Sequence, residues 1–98
     1  MAGPLAGIKV VEMGVWVAGP SCAAILADWG AEVIKIEPPE GDPFRGLGAI
    51  LGASINPPFE LDNRGKRSTA LDLETAQGRG LMHQLIDGAD VLVSNTRP

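Results

Sequence analysis

The 98 residues contain a single cysteine, Cys22, so no internal disulfide can form, and a reducing compartment suits the chain. They also contain a single histidine, His83, which has no partner at ligand spacing. No metal-ligand cluster is visible and no nucleophile–base pair can be assigned. No apolar run approaches the ~20 residues of a membrane span, and the N-terminus lacks the basic-then-apolar order of a secretion signal. Basic residues are scarce too: eight Lys and Arg against twelve Asp and Glu give a net charge of −4, which argues against general nucleic-acid binding. What remains is 45% apolar and 20% charged, an ordinary globular composition with room for one modest core. The expectation is a soluble, cytoplasmic protein that partners neither membrane nor nucleic acid.

The stretch from Ile8 to Glu37 organises the rest. Ile8, Val10 and Val11 read as a strand buried on both faces, and Gly14 breaks it. A glycine-proline loop follows to Gly19, and Pro20 suits the first position of a helix. Cys22, Ile25, Leu26 and Trp29 fall at i, i+3, i+4 and i+7, an apolar stripe expected to face the core. Gly30 closes that helix, and Val33, Ile34 and Ile36 supply a second buried strand. A strand, helix and strand this close predict a right-handed βαβ crossover with parallel strands.

From Pro38 to about Gly65 the chain is rich in proline and glycine and reads as a long irregular loop, with LGAILGASI as one possible helical turn. Arg67–Leu73 is the next strand candidate. Thr75 is placed to cap a second helix carrying Leu81, Met82, Leu85 and Ile86 at core spacing and ending at Gly88. Gly78 and Gly80 cost about 1 kcal/mol each relative to alanine and would fray its start. DVLVSN, residues 90–95, is a fourth strand. This alternation predicts an α/β fold with an open parallel sheet, whose ligands bind at the carboxyl ends of the strands.

Several groups of residues could carry chemistry. Asn63-Arg64-Gly65-Lys66-Arg67-Ser68 is a basic knot on an acidic chain, fit either to hold an anion or to sit as a solvated turn. The loop Val15-Trp16-Val17-Ala18-Gly19-Pro20 feeds a helix N-terminus, which can take an anion or a carbonyl oxygen. Its glycines lack the spacing of a dinucleotide fingerprint. Trp16 and Val17 either line an apolar pocket or cover the sheet. Cys22 reads as a packed core thiol, and His83 as a surface or boundary residue. Glu12 and Glu37 end parallel strands, where they either cap loop amides or belong to a solvated edge.

Four segments, PLAGIKVVEMG, AGPSCAAILADWGAEVIKIEPP, NRGKRSTALDL and ADVLVSNTRP, together resemble the class III coenzyme A transferases of the CaiB/BaiF type. That family also holds α-methylacyl-CoA racemases and carnitine CoA-transferase. The resemblance spans almost the whole chain and implies the N-terminal part of a Rossmann-like, CoA-binding large domain, residues 1–98, with the long loop at 38–65. It implies acyl-CoA and a carboxylate as substrates, no permanently bound cofactor or metal, and an interlocked homodimer in the full-length protein. The loop from Val15 to Gly19, with Trp16, Val17 and Ala18, matches the family segment beside the thioester. Asn63, Lys66 and Arg67 match the motif whose charged groups hold the CoA phosphates and adenine end, and Arg97 matches the arginine of the family's RPG signature. The sequence departs from the family in two places: Pro38 stands where many relatives carry an arginine, and Val17 stands where oxalate-type enzymes carry a glutamine. The transferases' catalytic aspartate, like the racemases' histidine and aspartate, matches positions beyond Pro98, so no catalytic residue is assigned. The expected function is CoA transfer between carboxylic acids, by a chain inactive alone. Alternatives are a racemase or isomerase of the same fold, a nucleotide- or phosphate-binding module without chemistry, and a structural half-domain.

Overall fold

The computed structural model describes residues 3–52 and 54–96. β1 (Lys9–Met13), α1 (Ala18–Asp28) and β2 (Glu32–Glu37) form the opening unit. A 3₁₀ turn (Pro43–Gly46) and two short helices, α2 (Leu47–Ile50) and α3 (Pro57–Asp62), occupy the proline-rich stretch expected to be irregular. β3 (Arg67–Ala70), α4 (Ala76–Asp87) and β4 (Val91–Ser94) complete the chain. The sheet is parallel throughout, in the order β3-β2-β1-β4.

That order places a switch point between β1 and β4. The chain builds outward from β1 to β2 to β3, then α4 carries it back past both to the far side of β1. Each face of the sheet has its own core. Val10, Val33, Ala23 and Ala31 cluster on the α1 face, and Val11, Ile36 and Met82 on the α4 face. Strand alternation accounts for this division, since successive side chains point to opposite faces.

Of the α1 stripe expected to face the core, only Leu26 packs against it; the other three residues are turned outward. Cys22, Ile25 and Trp29 are exposed, whereas Gly19, Pro20, Ala23 and Ala24 are buried. The helix therefore docks through its small residues, which let it lie close to the sheet. At Gly19 a Cβ would come within 3.1 Å of both the Gly14 Cα and the Asn95 side chain. Helix α1 also starts at Ala18, so Pro20 is its third residue rather than its first.

In α4, Met82 is buried and Leu85 and Ile86 are half-buried, but Leu81 is exposed. Thr75 caps it as expected, its Oγ1 accepting from the Gly78 N–H at 3.0 Å. Gly78 does more than loosen the first turn: a Cβ there would lie 1.9 Å from the Asp72 carbonyl oxygen. Around Gly80 nothing lies within 4 Å of such an atom. Gly80→Ala should therefore stabilise the protein by roughly 0.5–1 kcal/mol, while Gly78→Ala destabilises it. Urea denaturation midpoints that move in the same direction would contradict this.

Candidate functional site

The loop from Gly14 to Val17 leaves β1 at the switch point and meets the end of β4 there. Asn95 clamps it through both polar groups of Val15: its Oδ1 accepts from the Val15 N–H at 3.0 Å, and its Nδ2 donates to the Val15 carbonyl at 2.8 Å. The next residue, Trp16, has φ 64, a left-handed conformation that is an outlier for a bulky side chain. Its ring packs edge-on against Phe44 with centroids 5.6 Å apart, yet the residue stays 50% exposed. Val17 precedes α1 and makes no side-chain cap; Pro20 has no N–H and the Ser21 N–H donates to the Val17 carbonyl, so Ala18 and Gly19 supply the N–H groups of this helix N-terminus.

Beneath this loop, on the α1 face, lies a chain of buried charges. Glu12 and Lys35 are register partners on β1 and β2 and form an ion pair at 2.9 Å. Lys35 Nζ also meets Asp42 Oδ2 at 2.9 Å, and Lys66 Nζ meets Glu12 Oε1 at 2.5 Å. The two positive and two negative groups balance. The Gly14 peptide belongs to the same network: its N–H donates to Glu12 Oε2 and its carbonyl accepts from Lys35, both at 3.2 Å.

Glu37 ends β2 and anchors the excursion that follows. Its Oε1 accepts from the Asp42 N–H at 2.8 Å, and Arg45 grips both carboxylate oxygens at 2.6 and 2.7 Å. Ser68 donates to Oε2 as well. The Arg45 guanidinium rests 4.4 Å from the Phe59 ring centroid. Arg45, opposed by burial and helped by Ser68 and the Asp42 amide, lowers the Glu37 pKa from 4.5 to about 2. Because the folded value is depressed, this stabilisation is complete above about pH 4.5 and is lost as pH falls toward 2. It is worth about 1–2 kcal/mol, since water screens the half-exposed guanidinium. Arg45→Gln should flatten the acid limb of the stability–pH curve in that window, and an unchanged limb would contradict the assignment.

On the α4 face, a cavity of about 540 Å³ opens at the carboxyl edge of the sheet. Met13, Ile36, Leu71 and Leu73 give it an apolar floor, and Val15 and Thr96 join it to the switch-point loop. Glu40, Asp72 and Glu74 stand on its rim, beside Pro38 and Pro39. An apolar floor suits a flat ring, and the acidic rim suits hydroxyl or amino donors rather than phosphates.

The structure separates the predicted site residues into two groups. Trp16, Val17 and Ala18 lie together and exposed at the carboxyl edge. Asn63, Lys66 and Arg67 lie elsewhere, on the approach to β3 from its opposite end. The Lys66 side chain is only 2% exposed, and besides Glu12 it donates to the Pro20 and Asp62 carbonyls and Asn63 Oδ1, each at 2.9 Å. Its ammonium thus has no open face for a phosphate, and burial pushes its pKa down against the opposing pull of Glu12. Asn63 Nδ2 donates to the Phe59 carbonyl at 3.0 Å. Arg67 pairs with Glu32 on the surface, and neighbouring Arg64 pairs with Asp28 at 2.6 Å. Every cation of the basic knot therefore has an acid from its own chain. Arg97 lies outside the described residues.

Sequence reasoning missed Lys35, Asp42, Arg45 and Asn95. Lys35 carried a usable signal, because a lysine between Ile34 and Ile36 shares its sheet face with Val33 and, on the parallel neighbour, with Glu12. Glu12 and Glu37 do cap loop amides, those of Gly14 and Asp42.

The sequence profile described as CoA-transferase family III matches residues 5–98. The chain belongs to this family. It is 43% identical over 97 residues to the (R)-2-hydroxy-4-methylpentanoate CoA-transferase of Clostridioides difficile, covering 95% of this chain and 24% of that one. Similarity to the succinyl-CoA–D-citramalate CoA-transferase of Chloroflexus aurantiacus is 41% over 96 residues, covering 97% and 24%. Among solved structures, a CaiB/BaiF family protein from Brucella suis superposes with a TM-score of 0.89 at 42% identity, covering 98% of this chain and 26% of that one. The Rv3272 protein of Mycobacterium tuberculosis gives 0.90 at 40% identity, covering 99% and 26%. The α/β fold with its parallel sheet is thus the family III fold, and the chain spans about a quarter of the length of the curated relatives it matches.

Proposed function

We propose that this chain is the N-terminal, CoA-binding part of an acyl-CoA:carboxylate CoA-transferase, which moves coenzyme A from one carboxylic acid to another. The observation that carries this reading is the pairing of two features at one sheet edge: an apolar cavity and a helix N-terminus behind an exposed tryptophan. The cavity over Leu71 and Leu73 takes the adenosine end of the acyl-CoA, its acidic rim accepting from ribose hydroxyls. The thioester lies toward Trp16, Val17 and Ala18, where the α1 dipole favours a carbonyl oxygen that gains negative charge. Arg97 follows Thr96 of the cavity wall and is the cation assigned to the phosphates. Asn63 and Lys66 serve the site from beneath, by fixing α1 and the buried charges, and Arg67 stays at the surface. The acyl-CoA is a substrate, with no resident cofactor, and the bond-breaking residues lie in the part of the protein that follows Pro98. The full-length protein acts in the cytoplasm as a homodimer.

The test is an assay of the full-length protein with an acyl-CoA donor and a panel of carboxylate acceptors. The expected result is acceptor-dependent formation of a new acyl-CoA with no free CoA accumulating. Inversion at C2 of a 2-methylacyl-CoA without any acceptor would instead identify a racemase. Tight CoA binding with neither reaction would identify a binding module.

A further inference from the structure

The backbone on both sides of Trp16 is held by groups from separate elements. Glu12 and Lys35 grip the two polar groups of Gly14, and Asn95 grips those of Val15. Beyond Trp16, Lys66 donates to the Pro20 carbonyl at 2.9 Å. A bulky residue with φ 64 persists only where its surroundings over-determine it, and these contacts supply that constraint.

Buried ion pairs are a poor way to gain stability, because their desolvation offsets most of their attraction. Apolar side chains would fill the same space, but they could not hold the N–H and the carbonyl of one residue at once. Asp42 extends the device: paired with Lys35, it also accepts from the Phe44 N–H at 2.9 Å, and Phe44 is the ring on which Trp16 rests. One ion pair thus fixes both the loop backbone and the aromatic surface under it.

We infer that Lys35, Asp42 and Asn95 are positioning residues for the acyl end of the site, acting through the Gly14–Val15 backbone and Phe44 to set the place of Trp16. This rests on the acyl-CoA reading above. Lys35 and Asp42 neither line the cavity assigned to the adenosine end nor hold, through their side chains, a residue that does, so their effect on the acyl end is separable from CoA binding, whereas Asn95 holds Val15 of the cavity wall.

Two variants of the full-length protein test the inference. Lys35→Met/Asp42→Asn removes one charge of each sign, leaves the Glu12–Lys66 pair, and keeps an amide oxygen to accept from Phe44. Asn95→Ala alters one exposed side chain and spares the core. The double variant should retain wild-type affinity for free CoA in calorimetry. Each variant should lose about a hundredfold in kcat/KM for acyl-CoA, the scale expected when a reacting group is misplaced by about 1 Å. Preference between a short and a bulky acyl chain should narrow as well. Folded variants with wild-type kcat/KM and preference would overturn the inference, and so would CoA affinity of the double variant falling in step with its kcat/KM. If the double variant fails to fold, Asn95→Ala decides through acyl preference: a narrowed preference supports the inference, and an unchanged one overturns it. A wild-type protein that binds no CoA is a distinct outcome: it overturns the acyl-CoA reading and takes this inference with it.

Discussion

Lys66→Met is expected to destabilise the full-length protein by about 3–5 kcal/mol while leaving CoA affinity of the folded form unchanged. The side chain is 2% exposed and Glu12 is fully buried, so their contact at 2.5 Å is an interior ion pair. Methionine would fill much of the volume but leave Glu12 with Lys35 alone, beside a second acid, Asp42, that also depends on Lys35. Three further oxygens, on Pro20, Asp62 and Asn63, would lose their donor. The uncompensated carboxylate and these charge-assisted hydrogen bonds, about 1.5–3 kcal/mol each, are offset in part because an ammonium no longer has to be buried. Arg67→Ala should be nearly neutral by contrast, because both it and its partner Glu32 are largely in water. Urea denaturation and calorimetry with CoA distinguish the two possible roles of Lys66. A variant that melts like the wild type but binds CoA more weakly would return the Lys66 ammonium to the phosphates.

Trp16→Ala is expected to change which acyl groups the enzyme accepts. One side of the indole is supported by Phe44 and half of the residue is open to solvent at the sheet edge. Removing it would widen the space beside the first turn of α1. Relative kcat/KM between a bulky and a short acyl-CoA should then shift by about tenfold or more, on the order of 1–3 kcal/mol of discrimination. Stability should fall little, because half of the residue is already in water. If Trp16 only packs against Phe44, all substrates will suffer alike, in step with a lowered melting temperature. Equal losses across an acyl series would remove Trp16 from the site.

Much of this architecture was legible before any coordinates, for identifiable reasons. Val10, Val11, Val33, Ile34 and Ile36 are β-branched, and Gly30 takes the left-handed conformation, φ 101, that its position after α1 demands. Thr75 caps α4 because its hydroxyl lies three residues before a free helical amide. The α1 stripe was misread because the helical period admits two faces. Cys22, Ile25, Leu26 and Trp29 stand out on hydrophobicity, but the sheet takes only Leu26 of them and otherwise selects Gly19, Pro20 and Ala23 on size. The excursion from Pro38 to Gly65 looked structureless because its order comes from side chains far apart in sequence. Asn56, for instance, donates to the Phe44 carbonyl at 2.6 Å and accepts from the Phe59 N–H at 3.2 Å. On the proposed reading the basic knot belongs to the scaffold, and its partners were not legible in the sequence. A run of Lys and Arg shows where charge is abundant, but only the fold reveals Glu12, Asp28 and Glu32 lying opposite it.

The central claim is that acyl-CoA binds the carboxyl edge of the sheet and that the basic knot belongs to the scaffold. A crystal structure of the full-length protein with CoA bound tests it most directly. The account predicts the adenine over Leu71 and Leu73 beside Pro38 and Pro39, with the sulfur near Trp16 and Ala18 and Lys66 still buried on Glu12. CoA phosphates seated on Arg64, Lys66 and Arg67, with the cavity empty, would contradict it.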